Sequence, residues 1–245
     1  MHHAKVALVT GANKGLGKEV ARQLGALGMQ VLLGARDLRL GQEAARELRG
    51  EGLNVQPLYL DVRDDDSVAS AARWIGDGHG RLDVLVANAG ILRRVPTLET
   101  TATDMQDTYA TNVFGVVRTI HKMLPLLQAS AGARIVTVAS TSASQTLCSD
   151  PKSLFGRSDT ILAYASSKAA LTMLTVQYAN AFRRSSAHAH IKINAATPGH
   201  IATDLNNHQG TRTVDQGAKI VVELATLDET GPSGGFFNDD GSLPW

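Results

Sequence analysis

The sequence predicts one doubly wound α/β domain, a parallel sheet of about seven strands with helices on both faces. Three observations carry that expectation. Short aliphatic runs alternate with longer stretches of helical spacing along all 245 residues, the pattern of strand–helix–strand units. Several runs are apolar at nearly every position, as strands covered on both faces must be. Pro57 falls inside the third run. Proline lacks the N–H that a central strand needs, so it belongs at a sheet edge. In the doubly wound order 3-2-1-4-5-6, the third strand is that edge.

The elements follow in order. The first strand is expected over residues 5–10, and a helix over 15–27 puts Val20, Ala21, Leu24 and Leu27 on one face. A second strand (29–35) and helix (39–49) come next, then a third strand (55–60) and helix (67–75). The fourth strand, 82–87, leads into a long helix over 103–124. The fifth strand, 134–139, precedes a helix over 163–183, and the sixth, 191–195, precedes a helix over 214–225. A last short strand lies near 235–237. No repeat, low-complexity tract or long linker divides the chain, so residues 1–245 read as a single domain.

Composition excludes more than it assigns. Lys and Arg number 24 against 23 Asp and Glu, a formal charge of +1. The basic residues are scattered, so no field favours nucleic acid or an anionic membrane. Cys148 is the single cysteine, which rules out an internal disulfide. No apolar run is long enough for a signal core or a membrane span. The expectation is a cytoplasmic protein. His2 and His3 read as a cloning remnant. His188 and His190 have no third ligand in view, so no metal site is expected.

The first strand runs into Thr10-Gly11-Ala12-Asn13-Lys14-Gly15-Leu16-Gly17. Glycines there keep the turn tight and let backbone approach a pyrophosphate. The helix behind it offers unpaired N–H groups and a positive dipole end. At the end of the second strand an acid would favour a free ribose 2′-hydroxyl. This chain has Ala35 and then Arg36. The fork of Arg36 can hold a 2′-phosphate, and Lys14 offers a second charge. Either alone reads equally well as a solvated surface charge. Together with the missing acid, they favour NADPH.

The strongest chemical signal is Tyr164-Ala165-Ser166-Ser167-Lys168. Four residues apart on a helix, the phenol and the ammonium share a face. A neighbouring cation lowers a phenol's pKa, and such a phenol can pass a proton to a developing alkoxide. The same spacing also occurs on ordinary surface helices. Ser140 tips the balance. It ends the fifth strand, on the sheet edge where ligands bind, and its hydroxyl can donate to a carbonyl oxygen. Thr141 and Ser142 are weaker candidates.

The glycine spacing and these residues resemble the short-chain dehydrogenases/reductases, a Rossmann-fold family, and the resemblance spans nearly the whole chain. It implies a catalytic set of Asn112, Ser140, Tyr164 and Lys168, with Asn112 holding a proton-relay water to the lysine. It implies that Gly11, Asn13, Lys14, Gly15, Leu16, Gly17 and Arg36 bind cofactor. Asp61 and Val62 would meet the adenine, and Asn88, Ala89 and Gly90 the adenine ribose. Pro198, Gly199, Ile201 and Thr203 would lie by the nicotinamide. Asp61 is also readable as a helix cap, and Asn88-Ala89-Gly90 as a turn.

Ser140 and Tyr164 lie 24 residues apart, about twice the family's usual step, with the surplus around 147–159. That insert and the ending Gly234-Gly235-Phe236-Phe237 resemble the carbonyl reductase branch, with menthone and salutaridine reductases among its relatives. The resemblance implies an NADPH-dependent ketone or aldehyde reductase that is a monomer or homodimer. Leu147, Phe155, Ile91, Leu92 and Leu205 line its pocket or belong to the core. Arg93 and Arg94 sit at the pocket mouth or are solvated charges. Two other readings stay open: an NADPH sensor without turnover, which has no need of the tyrosine–lysine pair, and an NAD-dependent alcohol dehydrogenase, which Arg36 disfavours.

Overall fold

The computed structural model describes residues 4–245; the reading of His2 and His3 lies outside them. The chain alternates as expected: β1 (Val6–Val9), α1 (Gly15–Ala26), β2 (Gln30–Ala35), α2 (Leu38–Gly50), β3 (Val55–Tyr59), α3 (Asp65–His79) and β4 (Val84–Ala87). It continues through α4 (Ala102–Tyr109), a π-turn (Ala110–Phe114), α5 (Gly115–Gln128), β5 (Arg134–Val138), α6 (Gln145–Ser149), α7 (Leu162–Arg184) and β6 (Lys192–Ala196). It ends with α8 (Val214–Ala225), β7 (Phe236–Asn238) and β8 (Gly241–Ser242).

The sheet order is β3-β2-β1-β4-β5-β6-β7-β8. Pro57 lies on the edge strand β3, opposite Leu33 of β2. Successive strand residues face opposite layers. Val9 and Leu33 join a core under α1, α2 and α8, which contains Leu24, Leu48 and Val221. Leu8 and Leu32 join a core under α3, α5 and α7, which contains Ile75, Ile120 and Phe182. The two faces of the parallel sheet are thereby both covered.

Four details differ from the sequence expectation. An eighth strand, β8, pairs antiparallel with β7; two residues are too few to leave a periodic signal. Leu27 is the C-cap of α1, beyond its last turn, and is 59% exposed. The helix expected over 103–124 is α4 and α5 joined by the π-turn. The insert folds its own short helix, α6.

Caps mark most helix starts. Asp37 accepts from the Leu40 N–H before α2, Asp64 from the Asp66 N–H before α3, and Thr101 and Thr213 form capping boxes on α4 and α8. Asp64, not Asp61, therefore caps α3. The start of α1 differs: Lys14 stands at the N-cap, extended, with no capping side-chain bond and no acid in the first turn.

Candidate active site

The glycine turn leaves β1 at Thr10 and bends through Gly11 and Gly15, whose φ values of 62° and 55° disfavour any side chain. At Gly11 a Cβ would come 2.9 Å from the Ala89 Cα. At Gly17 it would strike Asn88 Nδ2 at 2.5 Å and the Gly11 carbonyl at 2.7 Å. The Asn88 side-chain amide donates to the Thr10 and Gly11 carbonyls, at 2.9 and 3.1 Å. Its main-chain N–H and that of Ala89 donate to the Thr10 hydroxyl, each at 3.0 Å. The end of β4 thus laces the turn to the sheet. Leu16 is buried and Asn13 half-buried within it. The uncapped helix start behind this turn suits a phosphate, because its first N–H groups lack a side-chain acceptor.

Two cations border the turn. Arg36 is exposed beyond β2, and its charge helps hold the Asp61 carboxyl low. The larger influence on Asp61 is Arg63, which donates to it through Nε and Nη2 at 3.2 and 2.9 Å. Lys14 is paired: its Nζ lies 2.5 Å from Asp204 in the lid after β6. His208 holds the other oxygen of Asp204 at 2.8 Å. Thr203 leans over the turn, 3.5 Å from where a Gly15 Cβ would be. The lid therefore closes on the glycine turn through an ion pair. Pro198 and Ile201 are buried beneath it against Gly217 of α8. Gly199 takes a φ of 73° beside Arg212. Val62 packs against Gly115, where a Cβ would come within 2.8 Å of it.

The four expected catalytic residues gather at the carboxyl edge of β4 and β5. Ser140 follows β5, and its Oγ accepts from the Ser142 N–H at 3.3 Å and the Ser142 hydroxyl at 3.0 Å. Those two bonds leave its own proton free to be donated. Ser142, a weaker candidate for the catalytic serine, is thus a hydrogen-bonding support of Ser140. Tyr164 stands in the first turn of α7, half-buried. Burial pushes its phenol pKa up, while the Ser140 hydroxyl and the Arg94 charge pull it down. Lys168 is buried one turn later, 5.7 Å from the Tyr164 ring centroid. Its Nζ donates to the Val138 carbonyl at 2.7 Å, and burial lowers its pKa to about 8. The sequence expects Lys168 to be the group that lowers the Tyr164 pKa. Here the ammonium is turned to the backbone, and the lowering comes from Ser140 and Arg94.

Asn112 lies in the π-turn and is fully buried. Its Oδ1 accepts from the Ile91 N–H at 2.9 Å. Its Nδ2 donates to the Ile91 carbonyl and the Ser167 hydroxyl, each at 3.0 Å. Ser167, which the sequence passes over, donates in turn to the Tyr164 carbonyl. Gly90 separates Asn112 from Lys168: a Cβ there would stand 3.4 Å from Asn112 Oδ1 and 3.4 Å from Lys168 Nζ. A bare glycine leaves that gap open.

Of the apolar residues expected as pocket lining or core, Ile91, Leu92, Leu147 and Phe155 are half-buried, whereas Leu205 is 44% exposed on the lid. The insert is tied back by Cys148, whose Sγ donates to the Ser142 carbonyl at 3.4 Å. Its far end is held by the Thr97 hydroxyl, which donates to the Asp159 carbonyl at 2.7 Å. Arg93 pairs with Asp107 at 2.5 Å. Among the described residues no cluster of three His, Cys, Asp or Glu could hold a metal ion, and no helix is long and apolar enough to cross a membrane.

Comparison with known proteins agrees with this geometry. The family model for short chain dehydrogenase matches residues 5–213. Short-chain dehydrogenase/reductase 1 of Saponaria officinalis is 35% identical over 98% of this chain and 96% of its own. The Homo sapiens protein named carbonyl reductase (NADPH) 1 is 31% identical over 98% of each chain. The solved structure of NADPH-bound carbonyl reductase from chicken fatty liver has a TM-score of 0.86 at 29% identity, covering 99% of this chain and 100% of that one. The chain belongs to the short-chain dehydrogenase/reductase family and is similar to its carbonyl reductases.

Proposed function

We propose that the protein is an NADPH-dependent reductase that converts a ketone or aldehyde to an alcohol, with Tyr164 as the proton donor. One observation carries the reading. Lys168, one turn after Tyr164 on α7 and 5.7 Å from its ring centroid, donates to the Val138 carbonyl two residues before Ser140, beside an uncapped glycine turn that fits a phosphate. The relatives named as NADPH carbonyl reductases support the same cofactor. Gly11, Asn13, Gly15, Leu16 and Gly17 would cradle its pyrophosphate. Arg36 would take the 2′-phosphate, with Lys14 joining once it leaves Asp204. Asp61, Val62, Asn88, Ala89 and Gly90 would flank the adenosine, and Pro198, Gly199, Ile201 and Thr203 the nicotinamide.

Bound NADPH supplies the hydride. Tyr164 gives its proton to the carbonyl oxygen as negative charge develops there. Ser140, already an acceptor from Ser142, donates to the same oxygen. Lys168 lies one helical turn away, and its buried ammonium would favour the phenolate left behind once it swings from the Val138 carbonyl toward the phenol. Asn112 and Lys168 face each other across bare Gly90, where a water can carry the replacement proton.

The test is NADPH consumption across a panel of aldehydes, ketones and quinones. Tyr164→Phe should lower kcat by about a hundredfold or more; unchanged activity would overturn the mechanism. Arg36→Ala should cost about tenfold in preference for NADPH over NADH, and equal affinity of the parent for both would remove the cofactor assignment. Tight NADPH binding with no turnover would favour a sensor. The assembly expected is a monomer or homodimer, which sedimentation of a stable tetramer would contradict.

A further inference from the structure

We propose that Asp204 is a specificity-determining residue that competes with a 2′-phosphate for the Lys14 ammonium and so sets how tightly the protein binds NADPH. The proposal rests on the NADPH reading, in which Arg36 and Lys14 take that phosphate. It adds the group that the phosphate must displace.

The ion pair joins segments that only the tertiary fold brings together. Lys14 is the N-cap of α1, inside the glycine turn. Asp204 opens a short 3-10 turn, Asp204–Asn206, in the lid after β6. The two are 190 residues apart, and Lys14 Nζ donates to Asp204 Oδ2 at 2.5 Å.

The lid is built to aim Asp204 at that cation. On one side of it, the Thr203 N–H donates to Asn206 Oδ1 at 3.2 Å, and Asn206 Nδ2 donates to the Ile201 carbonyl at 2.9 Å. On the other side, Asn207 and His208 take left-handed φ values of 53° and 59°. Residues with a Cβ adopt that conformation rarely, and it persists only where the surroundings hold it. Here it folds His208 back onto Asp204, four residues earlier, with Nε2 2.8 Å from Oδ1. The His208 N–H also donates to the Thr203 carbonyl at 2.9 Å. One carboxylate oxygen is therefore tethered within the lid, and the other is presented to Lys14. Lys14 first, and then His208, hold the Asp204 carboxyl below the usual carboxylate range, so it meets the lysine as an anion.

The competition follows from charge. A lysine ammonium is a compact point charge that pairs with a carboxylate or a phosphate. This pair is open to water, with side chains 64% and 54% exposed. An exposed pair is weak, so a phosphate can displace the carboxylate. A cofactor without the 2′-phosphate has nothing to exchange for Asp204. Asp204 therefore weakens binding of the phosphorylated cofactor and leaves the unphosphorylated one unaffected.

The experiment is calorimetry on the intact protein, with adenosine 2′,5′-bisphosphate and 5′-AMP as probes. These isolate the phosphate without turnover. The parent should prefer the bisphosphate. Asp204→Asn should tighten the bisphosphate by about threefold and leave 5′-AMP unchanged. Removing an acid also raises the local positive potential, so the decisive comparison is made in Lys14→Ala. There, Asp204→Asn should give no gain. A gain of equal size with and without Lys14 is a field effect and overturns the proposal. A parent that prefers the bisphosphate, with binding unaltered by Asp204→Asn, overturns the proposal alone. If neither the parent nor Asp204→Asn distinguishes the bisphosphate from 5′-AMP, the 2′-phosphate reading fails and the competition falls with it. A preference that emerges only in Asp204→Asn supports the competition, because the acid then masks Lys14 in the parent.

Discussion

Lys168 is a cation held out of water, and that fact governs how the protein should respond to pH. Burial lowers its pKa from 10.5 to about 8. Between those values the unfolded chain still binds a proton that the folded chain has released. Stability therefore rises with pH across that window. The raised pKa of Tyr164 acts in the opposite sense, but only above the ordinary phenol value of about 10. Urea midpoints measured from pH 7.5 to 9.5 should climb in the parent and show a smaller rise in Lys168→Met. Equal slopes would mean that Lys168 is not the titrating group. Activity in the same range should fall, since the cation that the proposed mechanism turns toward Tyr164 is lost above about 8. The residue types at this site were legible in the sequence because the chemistry requires them at fixed spacing. Their supports were not. Ser142 and Ser167 act through hydroxyl contacts that no spacing encodes.

At the scale of elements, the π-turn of Ala110–Phe114 is the feature that sequence periodicity could not reveal. Five residues of wider winding leave the apolar pattern of a long helix intact. The one hint was Asn112, a residue with poor helix propensity set among apolar neighbours. The turn directs that amide toward Ile91 instead of solvent, so an element boundary becomes a clamp on the loop after β4. Replacing Asn112 with Ala removes partners from the Ile91 N–H, the Ile91 carbonyl and the Ser167 hydroxyl. Each buried group left unpaired costs about 1–3 kcal/mol. Denaturant unfolding should show a loss of at least that size, with faster amide exchange at Ile91. A variant as stable as the parent would show that the clamp is dispensable. The lid was legible only in outline: Lys14 reads as a phosphate ligand, whereas the structure pairs it with Asp204 across 190 residues of sequence.

Taken whole, the molecule follows from two-sided burial. Apolar strands alternating with helices point to the doubly wound order, and Pro57 agrees with its edge at β3. The far edge escaped, because β7 and β8 together hold only five paired-strand residues and depend on tertiary contacts. That edge matters to the site. Phe236 is 1% exposed and packs with Ala139, Ala143 and Ala195, the first two of which flank Ser140. Its ring also stacks on Trp245 at 5.9 Å. Trp245 in turn accepts from the Thr146 N–H and hydroxyl, at 3.0 and 2.6 Å, joining this edge to the insert. Phe236→Ala would empty a fully buried aromatic position, a change that costs about 3–5 kcal/mol. The void lies against the segment that aims Ser140. The variant should therefore unfold at lower denaturant and also lose kcat under conditions where it is fully folded. Phe236→Leu should recover most of both, because it refills the volume. A destabilised alanine variant with the parent's kcat would separate this edge from the chemistry and confine Phe236 to stability.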